Sequence, residues 1–174
     1  MHKHLLRILV ALLALTGLAT AEINAPADGS AAFEKLRSLT GEWEGTYAWT
    51  GRNASGKINA QYYTTGNGSA LVENLTVDGI PSMTSVYHLD GSDLRVTHFC
   101  AAQNQPRLKA SAIDLGSGQI MFSLVDITNL KSPDAGHVEG LDVRFLEHDH
   151  ITLRFRFMGA GKESDELIDL RRKK

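Results

Sequence analysis

One cysteine, Cys100, stands in the whole chain, so no disulfide can form within it and stability has to come from packing. Long apolar runs are almost as scarce. The one long apolar run, Ile8 to Leu18, is eleven residues long, too short to cross a bilayer, and no second one follows. Strong charge is missing too, with 18 Lys+Arg against 20 Asp+Glu. A nucleic-acid partner needs a clustered basic face, and the only dense cluster, Arg171-Arg172-Lys173-Lys174, reads as a solvated terminus. There is no GxGxxG or Walker-type loop, no heptad pattern and no internal repeat.

What is present begins with a leader. Lys3 and Arg7 precede the apolar run, and Ala19-Thr20-Ala21 follows it as a small-residue cleavage motif. Residues 1–21 therefore read as a signal peptide cleaved after Ala21, which predicts a secreted or periplasmic protein. No cysteine lies near that point to carry a lipid. Without Lys3 and Arg7 the balance becomes 16 basic against 20 acidic residues, a net of -4. The remaining 153 residues suit one domain with a real core.

Residues 22–30 are rich in Ala, Pro, Gly and Ser and read as a flexible lead-in to a domain over 31–174. Ala31 to Leu39 places Phe33, Leu36 and Leu39 three apart, which predicts a short amphipathic helix closed by Gly41. From Trp43 the period drops to two. Strands are predicted over 43–49, 57–65, 69–77, 83–89, 93–100, 107–114, 119–126, 137–145, 151–157 and 166–171. Nearly every gap holds a turn signal, such as Asp78-Gly79 or Gly159-Ala160-Gly161. The expected fold class is all-β: a single antiparallel up-and-down β-barrel of about ten strands with a short N-terminal helix. Closure removes the two edges that an open meander exposes, and a β-sandwich is the alternative.

The segment from His98 to Arg107 is the least ordinary. On a strand, His98 and Cys100 share a face with Leu94 and Val96, so both are expected to point inward. One reading makes them polar anchors in an apolar cavity, with Tyr62, Tyr87 and Trp49 lining it and Arg107 holding an anion. A second makes His98 and Cys100 soft-metal ligands, with His88 as the third. A third pairs Cys100 as nucleophile with His98 as base, although no oxyanion hole is legible. The plain structural alternative is a small buried thiol and a hydrogen-bonded core histidine. His148-Asp149-His150 has the look of a metal clip but falls at a turn.

The opening Gly41-Glu42-Trp43-Glu44-Gly45-Thr46-Tyr47, the helix before it, the meander after it and the basic residues at the last strand resemble the calycin superfamily. That group includes lipocalins, fatty-acid-binding proteins, avidins and nitrobindin-like haem barrels. The stretches Val86–Gly91 and Thr97–Cys100 are similar to exported bacterial barrels without an assigned function. The resemblance implies that Trp43 packs across one barrel end under an arginine, for which Arg171 is the matching position. The lipocalin disulfides have no counterpart here. The resulting expectation is an exported, non-catalytic barrel that binds a small hydrophobic or amphipathic molecule, without nucleic acid or stable membrane insertion. The alternatives are a haem or metal barrel with a histidine ligand, His98 or His150, and an enzyme using His98 and Cys100. The sequence leaves any cofactor unknown.

Overall fold

The computed structural model describes residues 29–174. The predicted leader and most of the lead-in, residues 1–28, lie outside the described residues. One helix, α1 (Gly29–Arg37), precedes ten strands: β1 (Gly41–Trp49), β2 (Ser55–Thr65), β3 (Ala70–Val77), β4 (Ile80–Asp90) and β5 (Asp93–Phe99), then β6 (Gln105–Asp114), β7 (Gln119–Thr128), β8 (His137–Glu147), β9 (His150–Gly159) and β10 (Lys162–Arg172). Each strand pairs antiparallel with its neighbours in sequence, and β10 returns to β1, so the sheet is a closed barrel rather than a sandwich.

Alternation is what builds it. Along β9, Ile151, Leu153 and Phe155 are buried while Arg154 and Arg156 point out. On β2 the neighbouring rings divide, with Tyr62 inside and Tyr63 41% exposed outside. Most strands run further than their sequence suggests, β4 and β10 by the most. β4 begins at Ile80 and β10 at Lys162, because Asp78-Gly79 (φ 51° and 78°) and Ala160-Gly161 (φ 50° and 70°) form tight turns with positive φ. Such turns match the twist of flanking strands and let pairing start at once, even over the polar stretch Lys162 to Asp165. β5 stops one residue early, at Phe99, because Cys100 opens a turn in which its N–H bonds the Asn104 carbonyl.

The helix occupies 29–37 rather than 31–39, so the last two residues of the predicted lead-in are helical. Gly29 is needed there, since a Cβ would run into the Ser92 carbonyl of the β4–β5 turn. Gly45 has a similar role inside the opening motif, where a Cβ would strike the Asp169 carbonyl of β10.

Helix α1 closes one end of the barrel. Its Ala32, Phe33 and Leu36, with Leu39 just after, join the interior core. Trp43 sits beneath them, fully buried, with its indole N–H donating to the Leu39 carbonyl at 2.7 Å. The arginine over its ring is Arg172, at 4.4 Å, and not the expected Arg171. The register explains the correction: Trp43 pairs with Arg172 on the inward side, while Arg171 pairs with outward Glu44. Arg172 also donates to the carbonyls of Ser38 and Thr40, both at 2.8 Å, just beyond the C-terminus of α1, where a cation complements the dipole. This end is solid.

Candidate functional site

Above the Trp43 layer the interior holds a polar group that no outside contact explains. Glu73 stands between Leu71 and Leu75 on the inward face of β3 and is 0% exposed. Tyr62 and Tyr87 donate their hydroxyls to its Oε2 at 2.8 and 3.0 Å, and Ser85 donates to its Oε1 at 3.1 Å. Burial pushes the Glu73 carboxyl up, against the pull of the three hydroxyls. Ser85 Oγ also lies 3.0 Å from His98 Nδ1. With the Ser85 hydrogen given to Glu73, its oxygen accepts from Nδ1–H, which makes Nε2 a bare acceptor. That Nε2 is buried and has no hydrogen-bond partner among the described residues. Burial lowers the His98 pKa to about 4, so the ring is neutral. It stacks against Phe155 with 4.8 Å between ring centroids.

One step further along the barrel, at the end away from α1, the packing opens. A cavity of about 260 Å³ is lined by Trp49, Arg52, Met83, Cys100, Ala101, Ala102, Val138, Phe155, Phe157 and Glu166. Its walls are mostly apolar. The charged exceptions are Arg52 and Glu166, the latter only 5% exposed, on the inward face of β10 directly across from Trp49. Desolvation raises its pKa from an ordinary 4.5 to about 7, with the Arg52 charge and a hydrogen bond from Trp49 pulling the other way. Arg52 lies over the Trp49 ring at 3.6 Å and over Phe157 at 5.1 Å.

The six candidate residues from the sequence thus fall into three places. Trp49 and Cys100 line the cavity. Tyr62, Tyr87 and His98 belong to the interior network around Glu73. Arg107 is on the outer wall, because Pro106 and Leu108 take the inward positions of β6, and it forms a two-pronged pair with Asp126, Nη2 to Oδ2 at 2.7 Å. It is therefore not an interior anion anchor. Arg107→Ala is expected to leave the midpoint of chemical denaturation and cavity binding essentially unchanged, because the pair is exposed and screened by water.

His98 and Cys100 do not act as a pair. His98 bonds Ser85, while the Cys100 sulfur accepts the Ala102 N–H at 3.4 Å. Burial raises the thiol pKa and lowers that of the imidazole, the reverse of what a thiolate–imidazolium couple requires. The metal reading loses its third ligand, since His88 alternates with buried Tyr87 and lines an outer groove with Asp90 and Arg95. Among the described residues, no three His, Cys, Asp or Glu side chains gather into a metal-holding group. Haem does not fit either. His98 is 0% exposed, so a macrocycle reaches Nε2 only by rearranging the core around it. His150 is held by Asp169 at 3.0 Å, and the exposed His148 bonds Asp149 at 2.7 Å.

Glu73 and Glu166 were missed by the sequence reading, yet both left a signal. Each is a carboxylate at an inward position of an otherwise apolar alternation: Leu71, Glu73, Leu75 on β3 and Glu166, Ile168, Leu170 on β10.

No family model matches this chain, and no curated protein matches it. Among solved structures, it is similar to a protein of unknown function from the DUF3598 family of Nostoc punctiforme PCC 73102. The TM-score is 0.54 at 14% identity, over 79% of this chain and 49% of the other. The chain thus spans about half the length of that protein, and the likeness is one of fold alone.

Proposed function

We propose that this is an exported, non-catalytic barrel of calycin type that holds a small amphipathic molecule in the cavity at its open end. The observation that carries the reading is the asymmetry of the interior. One end is filled by α1, Trp43 and Tyr62, and the other keeps about 260 Å³ of mostly apolar space with one buried carboxyl. An apolar cavity of roughly 150 Å³ takes up benzene, so this one suits a ligand of roughly ten non-hydrogen atoms. The Arg172–Trp43 stack beside the closing helix supports the calycin resemblance. Export rests on the leader over residues 1–21. Arginines on the outside and leucines inside are the reverse of a lipid-facing barrel, which favours life in water. Neutral His98 and a protonated Cys100 favour binding over chemistry.

Native mass spectrometry of the protein purified gently from a periplasmic expression tests this. A discrete retained small-molecule mass is expected. Ala102→Phe, which fills the cavity from its wall, is expected to lose that mass while keeping its melting temperature within a few degrees. Retention by the filled variant places any ligand elsewhere and sinks the reading.

A further inference from the structure

The open-end cavity already contains a cation box, and the chain's own arginine occupies it. Trp49 and Phe157 meet edge to face at 5.5 Å and 87°, and the Arg52 guanidinium lies over both rings. Glu166 stands beside them, buried. Yet Arg52 comes from the exposed loop between β1 and β2, and its further bond, to Ser164 Oγ at 3.0 Å, is at the surface. A side chain so placed swings into water at little cost. A carboxyl as buried as Glu166 needs a desolvated partner to offset its lost hydration, and an exposed arginine at the rim offers only part of that.

We propose, resting on the small-molecule reading above, that the cavity is a site for a small organic ammonium ion with an apolar body. The amine displaces Arg52 from the two rings and pairs with Glu166, while its hydrocarbon part lies against Met83, Val138 and Phe155. A carboxylate ligand meets the Glu166 charge, and a neutral one leaves that carboxyl without a charged partner. Arg52 then acts as a built-in competitor for the two rings.

This arrangement makes binding depend on pH. The charged or titratable groups facing Glu166 are Arg52 from the β1–β2 loop and Cys100 from the β5–β6 turn. Strands β4, β8 and β9 present Met83, Val138, Phe155 and Phe157, and His98 lies one step deeper on β5. An ammonium ion selects the ionised carboxyl, so its affinity has to rise with pH through about 7. Between pH 6 and pH 8 the ionised fraction grows roughly tenfold.

Calorimetric titration with three probes of one size decides the matter: 2-phenylethylamine, 2-phenylethanol and phenylacetate. At pH 8 the amine is expected to bind at least tenfold tighter than the alcohol, and roughly tenfold weaker at pH 6 than at pH 8. Glu166→Gln is expected to abolish the preference and keep the alcohol affinity. Arg52→Ala is expected to tighten the amine threefold or more. Equal binding of amine and alcohol at pH 8 overturns this inference but leaves the small-molecule reading standing. So does a preference that survives Glu166→Gln, or an amine weakened by Arg52→Ala. If none of the probes binds either the wild type or Arg52→Ala, both readings fall together.

Discussion

Glu73→Ala is expected to lower the free energy of unfolding by about 4–5 kcal/mol, a large share of the 5–15 kcal/mol that holds a typical domain together. The reason is not the carboxyl itself, which burial penalises. It is the set of donors that converge on it. Removing the acceptor strands the hydroxyls of Tyr62 and Tyr87, both 1% exposed, and frees one arm of Ser85, which is 0% exposed. Each buried donor left unmade costs about 1–3 kcal/mol, and the vacated volume adds to it. Glu73→Gln is the informative contrast. Its amide oxygen accepts both tyrosines, and its amide nitrogen donates to Ser85, which then turns its own hydrogen toward His98. The three hydroxyls keep their partners, while His98 shifts its hydrogen to the unpartnered Nε2 and one amide N–H goes unpaired, so the cost is expected to be about 1.5 kcal/mol, well short of that of alanine. Adding Tyr62→Phe and Tyr87→Phe to Glu73→Leu is expected to recover most of the loss, because an all-apolar replacement leaves few donors stranded. Denaturant unfolding reads all of these. A Glu73→Ala protein within about 1 kcal/mol of wild type would show that the network carries no structural weight.

The second large effect belongs to Glu166 and appears only as pH is varied. Its folded pKa, about 7, lies above the ordinary 4.5, so the folded state holds the proton longer than the unfolded chain does. Stability is therefore full below about pH 4.5, falls as pH rises through 4.5 to 7, and is flat above. The difference amounts to about 3 kcal/mol. Glutamine does not titrate. Glu166→Gln is expected to gain on wild type steadily from pH 4.5 to 7, reaching about 3 kcal/mol, or roughly 6–12 °C in melting temperature. His98 works in the opposite sense. Its folded pKa of about 4 lies below 6.5, so its share of stability is complete above 6.5 and is lost as pH falls toward 4. In the wild type the two slopes oppose each other between pH 4.5 and 6.5, with Glu73 on the side of Glu166. The variant uncovers the histidine slope. A wild-type-minus-variant difference that stays constant from pH 4.5 to 8 would refute the assignment.

Both effects hang on residues whose identity was plain but whose partners were not. The alternation that puts Tyr62 inside and Tyr63 outside also puts Glu73 and Glu166 inside, and a charge among inward leucines is visible in the bare sequence. That Glu73 meets hydroxyls from β2 and β4 is a matter of register, which only pairing settles. The same one-residue sensitivity moved the arginine over Trp43 from 171 to 172. It also turned Arg107 outward while Leu108 faces the core. Likewise His98 and Cys100 share a face, but the strand ends between them and carries the thiol into a turn.

Period-two patterning and regularly placed turn residues were enough, by themselves, to determine ten antiparallel strands, a helix ahead of them and most of the inward residues, because these follow from local backbone geometry. The packed end beneath α1, the polar knot around Glu73 and the cavity wall where Trp49, Arg52 and Glu166 meet were decided by the tertiary structure alone. They depend on which residues, far apart in the chain, share a layer of the barrel, and register and packing set that across the whole sheet rather than within any one strand.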